Sequence, residues 1–246
     1  MRTLAHLSDL HFGAVDPAVL APLRRRLVEL DPDLVVVSGD LTQRARVRQF
    51  REARAYLDTL PRPQFVVPGN HDVPLYNVFA RFLAPLGGYR RIIARDVEPS
   101  FVDDEIAVLG VNTARAFAFK GGRVSEAQLA RVEDKLCRLR RDVVKILVTH
   151  HPFTALHRLA DCGLDVLLAG HLHAAQRILD QSALLVQAGT ATSRRTRAEP
   201  NSFNLLRVTR GRIEVEQYSL RGPGFSRSGR DVFRREDGRW RRDGSA

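Results

Sequence analysis

Seven residues of this 246-residue chain have side chains suited to holding metal ions, and they recur in short blocks beside glycine. Asp9 and His11 form Asp9-Leu10-His11, and Asp40 follows Gly39. Asn70 opens Asn70-His71-Asp72 after Gly69, His150 precedes His151-Pro152, and His171 and His173 form His171-Leu172-His173 after Gly170. Carboxylate, amide oxygen and imidazole without any thiolate suit Mn2+, Fe2+/Fe3+, Zn2+ or Co2+ rather than a cysteine-type structural zinc. Gly39, Gly69 and Gly170 let the backbone turn sharply and come close to a metal or a phosphate.

Each block follows a short apolar run. Residues 3–8, 34–38, 65–67, 106–111, 145–149 and 166–169 read as strands, and the 34–38 run is apolar enough to be buried on both faces. Residues 18–30, 44–60 and 125–141 have helical spacing, with Ser125 as N-cap and Gln128 completing a capping box. Alternating strands and helices predict an open α/β sheet, whose strand ends converge on one crevice. Five loops carrying Asp, Asn and His therefore point at one place. Beyond residue 175 the pattern changes: 178–187, 204–208 and 213–219 read as antiparallel strands with turns at Gly189 and Gly211, forming a second sheet packed on the first. This predicts one domain over residues 1–220. Residues 221–246, with eight Arg against four acids and Trp240 near the end, read as a basic C-terminal tail, either a loose arm or a docking strand.

The order of blocks resembles the calcineurin-like metallophosphoesterase superfamily: Asp-x-His, Gly-Asp, Gly-Asn-His-Asp/Glu, His, and Gly-His-x-His. All five occur in sequence from Asp9 to His173, about two-thirds of the chain. The resemblance implies a four-layer αββα sandwich of two mixed β-sheets flanked by helices. It also implies two divalent ions about 3.5–4 Å apart. Asp9, His11, Asp40 and His173 would hold one; Asp40, Asn70, His150 and His171 would hold the other, with Asp40 bridging. A hydroxide between the ions would be the nucleophile, His71 would protonate the leaving oxygen or stabilise its charge, and Asp72 would orient the His71 ring.

Spacing narrows the branch. Asp9 to Asp40 is 31 residues, Asp40 to Asn70 is 30, and His150 to His171 is 21. With Thr149-His150-His151-Pro152, this layout is similar to the bacterial class III cyclic nucleotide phosphodiesterases and the related glycerophosphodiesterases. The expected substrate is a small anionic phosphodiester, with 3′,5′-cyclic AMP, a related nucleotide or a glycerophosphodiester leading. The enzyme alternative is a nucleotide-sugar or lipid-precursor pyrophosphohydrolase acting at a membrane surface. Such enzymes usually carry Arg where this chain has His71, and no apolar insertion for an acyl pocket is evident. A repair-type nuclease would need extra domains. A metallophosphoesterase-like protein scaffold is the non-enzyme alternative, opposed by the full set of ligand positions.

Around this core, Asn70, His151, Arg123 in the Gly121-Gly122-Arg123 turn, and Arg194 near Arg195 and Arg197 are candidates for touching substrate. Runs such as Arg24-Arg25-Arg26 read as solvated helix faces, His6 and His157 as ordinary core or surface residues, and Asp161 and Asp165 as caps or turns. Lys plus Arg number 39 against 28 acids, a net charge of +11 that suits anionic partners. Aromatics are only 7%, so a specific nucleic-acid surface is not expected. Cys137 and Cys162 read as free thiols in a reducing compartment. With no signal peptide and no transmembrane segment, the cytoplasm is the expected location, with peripheral membrane contact and a homodimer left open.

Overall fold

A computed structural model describes residues 1–114, 122, 124–153, 157–180, 183–196 and 199–244; Lys120, Gly121, Arg123, Arg197 and the side chain of His157 lie outside the described residues. The first half alternates strand and helix: β1 (Arg2–Leu7), α1 (Pro17–Leu30), β2 (Leu34–Ser38), α2 (Val47–Leu57) and β3 (Gln64–Val67). A single 3-10 turn over Asn70–Asp72 precedes two short helices, α3 (Val78–Leu83) and α4 (Gly87–Ile92). Then come β4 (Ser100–Val102), β5 (Ile106–Gly110), α5 (Glu126–Arg138), β6 (Val144–Val148), α6 (His157–Ala160) and β7 (Leu164–Ala169). The chain ends with β8 (Gln176–Asp180), β9 (Ala183–Gln187), β10 (Ser202–Thr209), β11 (Arg212–Arg221), β12 (Gly224–Glu236) and β13 (Arg239–Arg242).

Local chemistry accounts for the helix starts. Asp16 accepts from the Ala18 amide and Pro17 takes the first helical position of α1, where its missing N–H costs nothing. Ser125 and Gln128 form the expected capping box on α5.

The strands form a seven-stranded sheet ordered β13-β12-β11-β10-β1-β2-β3 and a six-stranded sheet ordered β4-β5-β6-β7-β9-β8. β1, β2 and β3 are parallel, as are β5, β6, β7 and β9; the remaining neighbours pair antiparallel, so both sheets are mixed. This corrects the expectation that the strands after residue 175 make a sheet of their own. β8 and β9 extend the sheet edged by β7, while β10 to β13 extend the one edged by β1. The run 178–187, read as a single strand, contains parts of both β8 and β9, which pair antiparallel.

Alternation along the strands divides the core into three layers. Leu4, Val36 and Val67 meet Val108, Ile146, Val166 and Leu168 between the sheets. Ala5, Leu7, Val35 and Val37 face outward onto Leu23, Leu27, Phe50 and Leu57 of α1 and α2. On the other side, Leu109, Leu147 and Leu167 pack on Leu129, Val132 and Leu136 of α5. The result is the four-layer αββα arrangement.

Two further expectations change. Cys137 and Cys162 are not free thiols but a disulfide, because the last turn of α5 comes against the segment entering β7, with a Cα–Cα distance of 4.5 Å. Residues 221–244 are not a loose arm, because β12 and β13 continue the sheet. Trp240 is buried and donates from Nε1 to Asp165 Oδ1 at 2.9 Å. Asp165 is therefore no turn residue: it is a buried acceptor that also takes the Lys145 amide and pairs with Arg235. His6 is a core residue, as expected, with Nε2 against Ser38 Oγ at 2.9 Å.

Candidate metal centre

The loops after β1, β2, β3, β6 and β7 meet at one end of the two sheets and bring all seven expected ligands together. Their backbones are tied to one another before any side chain is considered. The Asp9 amide donates to the Gly39 carbonyl, that of His11 to Asp40, and that of Gly170 to His150. Five of the seven stand in the left-handed region: Asp9 (φ 55°), His11 (52°), Asp40 (54°), His171 (73°) and His173 (58°). Such backbone strain in non-glycine residues persists only where surroundings impose it, and it clusters at functional sites. Gly39 has φ 92°, and a Cβ there would stand 2.6 Å from Nδ1 of His150. A Cβ on Gly170 would stand 1.8 Å from the hydroxyl of Ser8. Glycine at both places lets the strand ends close on each other.

Asp9, His11 and His173 converge on one point. Oδ1 of Asp9 is 3.1 Å from Nε2 of His173 and 3.4 Å from Nε2 of His11. The two Nε2 atoms are 3.2 Å apart. His173 Nδ1 donates to the Arg195 carbonyl at 2.8 Å, so in the neutral ring Nε2 is a bare lone pair. Asp9 Oδ1 is buried and accepts no hydrogen bond, while Oδ2 takes the Ser8 hydroxyl at 2.6 Å and the His171 amide at 3.0 Å.

A second set converges beside it. His150 Nδ1 donates to the Ser38 carbonyl at 2.8 Å, turning Nε2 toward Asn70 Oδ1 at 3.1 Å and Asp40 Oδ2 at 3.3 Å. The His171 ring lies 5.3 Å from that of His150. Asp9, Asp40 and His150 are all buried with ligand atoms within 4.8 Å of one another. Lone pairs crowded in this way repel each other unless a cation lies among them, so the donor set fits a divalent metal at each point.

The electrostatics agree. Burial alone would raise Asp9 and Asp40, but the surrounding imidazoles, His11 and His173 for Asp9 and His150 for Asp40, hold both well below the usual carboxylate range. Burial, with the neighbouring His150, pushes His171 down to about 4 and His151 down to about 2. Burial opposes protonation of His150 as well, yet Asp40 raises it to about 9. Asp9 raises His173 in the same way, so these carboxylates attract a positive charge into the site, a role that a metal ion would take over.

His71 donates from Nδ1 to the Gln43 carbonyl at 2.9 Å, and its ring lies 4.9 Å from that of His11. Asp72 does not orient that ring, contrary to expectation. It is buried and accepts from the amides of Leu41, Thr42 and Gly69 and from the Thr42 hydroxyl, fastening the Asp40 loop to the Asn70 turn. His151 is buried with Nδ1 2.9 Å from Thr113 Oγ1 and its ring 4.4 Å from that of His171, so it adjoins the cluster.

A cavity of about 470 Å³ opens over Asp40, Asn70, His71, His171 and His173. Its cationic lining is Arg44, Arg81 and Arg195; Arg194, the expected contact, is not part of it. Arg194 is exposed and its amide bonds the Ala14 carbonyl, which turns the following residue toward the site. Gln43, Arg44 and Arg81 carried no signal in the sequence, since their roles depend on how three loops fold over one another.

Comparisons with known proteins agree with this geometry. Residues 2–175 match the profile of the calcineurin-like phosphoesterases. Over 99 residues the chain is 36% identical to the glycerophosphodiester phosphodiesterase GpdQ of Enterobacter lignolyticus, covering 34% of this chain and 33% of that protein. Over 76 residues it is 34% identical to the UDP-2,3-diacylglucosamine pyrophosphatase LpxG of Chlamydia muridarum, covering 30% of this chain and 23% of that protein. The chain thus spans a third or less of the length of these two relatives. In structure it is similar to the purple acid phosphatase PPD1 of yellow lupin, with a TM-score of 0.69 over 93% of this chain and 53% of that one at 12% identity.

Proposed function

Because this chain belongs to the calcineurin-like phosphoesterase family, we propose that it is a metal-dependent phosphoester hydrolase whose preferred substrates are small phosphodiesters, cyclic AMP or a related nucleotide or glycerophosphodiester. The observation that carries this reading is the convergence of Asp9 Oδ1, His11 Nε2 and His173 Nε2 next to the second set built on Asp40, Asn70 and His150. Asp9, His11, Asp40 and His173 would hold one divalent ion and Asp40, Asn70, His150 and His171 the other. Such a pair supplies a strong nucleophile from water at neutral pH and withdraws charge from the phosphoryl oxygens. Mn2+, Fe2+/Fe3+, Zn2+ and Co2+ all suit these ligands.

The chain's own groups do the rest. Arg44, Arg81 and Arg195 give the cavity positive charge that draws in a phosphate anion. The Gln43 carbonyl holds the His71 Nδ1–H, so proton exchange with a bound ester falls to Nε2. Burial lowers the His71 pKa, which makes a proton on that nitrogen easier to give to a leaving oxygen. Asn70 carries an amide nitrogen as well as its ligand oxygen, and that nitrogen can donate to the ester.

The similarity to a pyrophosphatase of a diacylglucosamine nucleotide favours one second reading, hydrolysis of a lipid-linked pyrophosphate. An assay on manganese-loaded protein distinguishes the two. It compares bis-p-nitrophenyl phosphate, p-nitrophenyl phosphate, cyclic AMP, a glycerophosphodiester and a nucleotide-sugar pyrophosphate. Diesters turned over well above the monoester support the proposal; turnover of the pyrophosphate alone overturns the substrate class while keeping the metal centre.

A further inference from the structure

The short helix α3, next to the catalytic cavity, is inside out. Val78 is 60% exposed, Phe79 80% and Leu83 82%, and Phe82 is also exposed, while Arg81 between them is buried and donates to the Pro74 carbonyl at 3.0 Å. An ordinary surface helix places its apolar stripe on the core and its arginine in water. Tyr76, 73% exposed, extends the apolar surface toward α2, where the guanidinium of Arg44 lies 5.6 Å from its ring centroid. Arg44 and Arg81 both line the cavity, as does Leu75, so the apolar surface begins at the cavity mouth.

Residues 73–95 contain Arg81, Arg90, Arg91 and Arg95 and no acid. On the other side Arg44 stands by the Tyr76 ring, while Arg48, further along, is paired with Glu52 at 3.0 Å. Exposed aromatic and aliphatic side chains flanked by arginine are the composition that enters the headgroup region of an anionic bilayer. A second copy of the chain on the same face would set Arg44, Arg90, Arg91 and Arg95 against their own kind.

We infer that Tyr76 and the exposed face of α3, flanked by Arg44, dock the protein on an anionic phospholipid surface with the catalytic cavity opening at headgroup level. Docking itself is independent of the chemistry; that it presents the cavity to a lipid-borne phosphoester rests on the function proposed above.

The test is flotation of the full chain with vesicles of phosphatidylcholine alone or containing about a third phosphatidylglycerol. It compares the native chain with a Phe79→Ser, Leu83→Ser double variant. Both positions are exposed and outside the cavity, so melting temperature and turnover of bis-p-nitrophenyl phosphate serve as controls for folding. The expected result is binding of the native chain to the anionic vesicles, weakened at least tenfold in the variant, with soluble turnover equal in both. Equal vesicle binding by the two proteins, or none by either, overturns the inference. So does a native dimer that the variant loses without any vesicle binding. Absence of turnover with vesicle binding intact would count against the proposed reaction and leave the docking surface standing.

Discussion

His11 and His173 stand 162 residues apart in sequence and present their Nε2 atoms to each other at 3.2 Å. Both rings are buried, and the Arg195 carbonyl fixes the tautomer of His173. The lone pair of His173 and the unpartnered Oδ1 of Asp9 face one point, where a cation would satisfy both. His173→Ala removes one ligand from one of the two sets and leaves the other intact. Metal analysis after dialysis is expected to find this variant short of one ion while the second stays bound; full native content would refute the assignment.

The role proposed for His71 separates metal binding from proton transfer. His71→Ala is expected to keep its metal and to lose about 10²–10⁴-fold in turnover. The loss should be greatest for esters with poor leaving groups. A leaving-group series of aryl phosphodiesters measures it, and an equal loss across the series would show that His71 moves no proton.

How much of this was legible in the sequence varied with range. Strand β2 is where it was expected, because a run of Leu34, Val35, Val36 and Val37 permits little else, and the capping box on α5 is a purely local signal. The convergence of the seven expected ligands was legible because their blocks sit at strand ends and the parallel strands bring those ends together. The allocation of late strands between sheets was not, since nothing local tells β9 to join β7 and β10 to join β1. For β12 the sequence left a loose arm and a docking strand open, because Arg227, Arg230 and Arg234 are exposed and only Phe225 and Phe233 among its residues are buried. The role of Asp72 was misread because adjacency to His71 suggested a partner, while its carboxylate turns to the amides of Leu41, Thr42 and Gly69.

Those amides make Asp72 a stability residue. Asp72→Ala leaves three buried N–H groups and a hydroxyl without their acceptor, and about 2–4 kcal/mol of stability should go with them. Chemical denaturation of the metal-free protein reads this directly. A loss under about 0.5 kcal/mol, the range of an unremarkable surface change, would contradict the role.

Trp240 tests whether β13 belongs to the fold. Its ring is buried in the layer between the sheets and its Nε1 bonds Asp165. Trp240→Ala should cost about 3–5 kcal/mol and Trp240→Phe about 1 kcal/mol. Unchanged melting of the alanine variant would return the last residues to the status of a loose arm.

Acid sensitivity should include a contribution from the face shared by β11 and β12. Hydrogen bonds from Arg230 at 2.7 Å and Arg212 at 3.0 Å, against opposing burial, bring Glu214 down to about 2 from the usual 4.5. A folded pKa below the unfolded one stabilises fully above 4.5 and is lost as pH falls toward 2. Because the arginines are part-exposed, the contribution is about 1 kcal/mol. Glu214→Gln should therefore melt lower than the native chain at pH 7, with the gap narrowing below pH 4.5 and closing near pH 2. A gap that is as large at pH 2 as at pH 7 would mean the carboxylate charge is not its source.

Metal stoichiometry of the native chain and of Asp40→Ala, measured after supplementation with manganese and dialysis, tests the central claim most directly. Asp40 lies against both sets, with Oδ2 3.3 Å from His150 and 3.7 Å from His11. The account predicts about two ions per native chain and loss of both from the variant. A native chain that holds none, or a variant that keeps both, would contradict it.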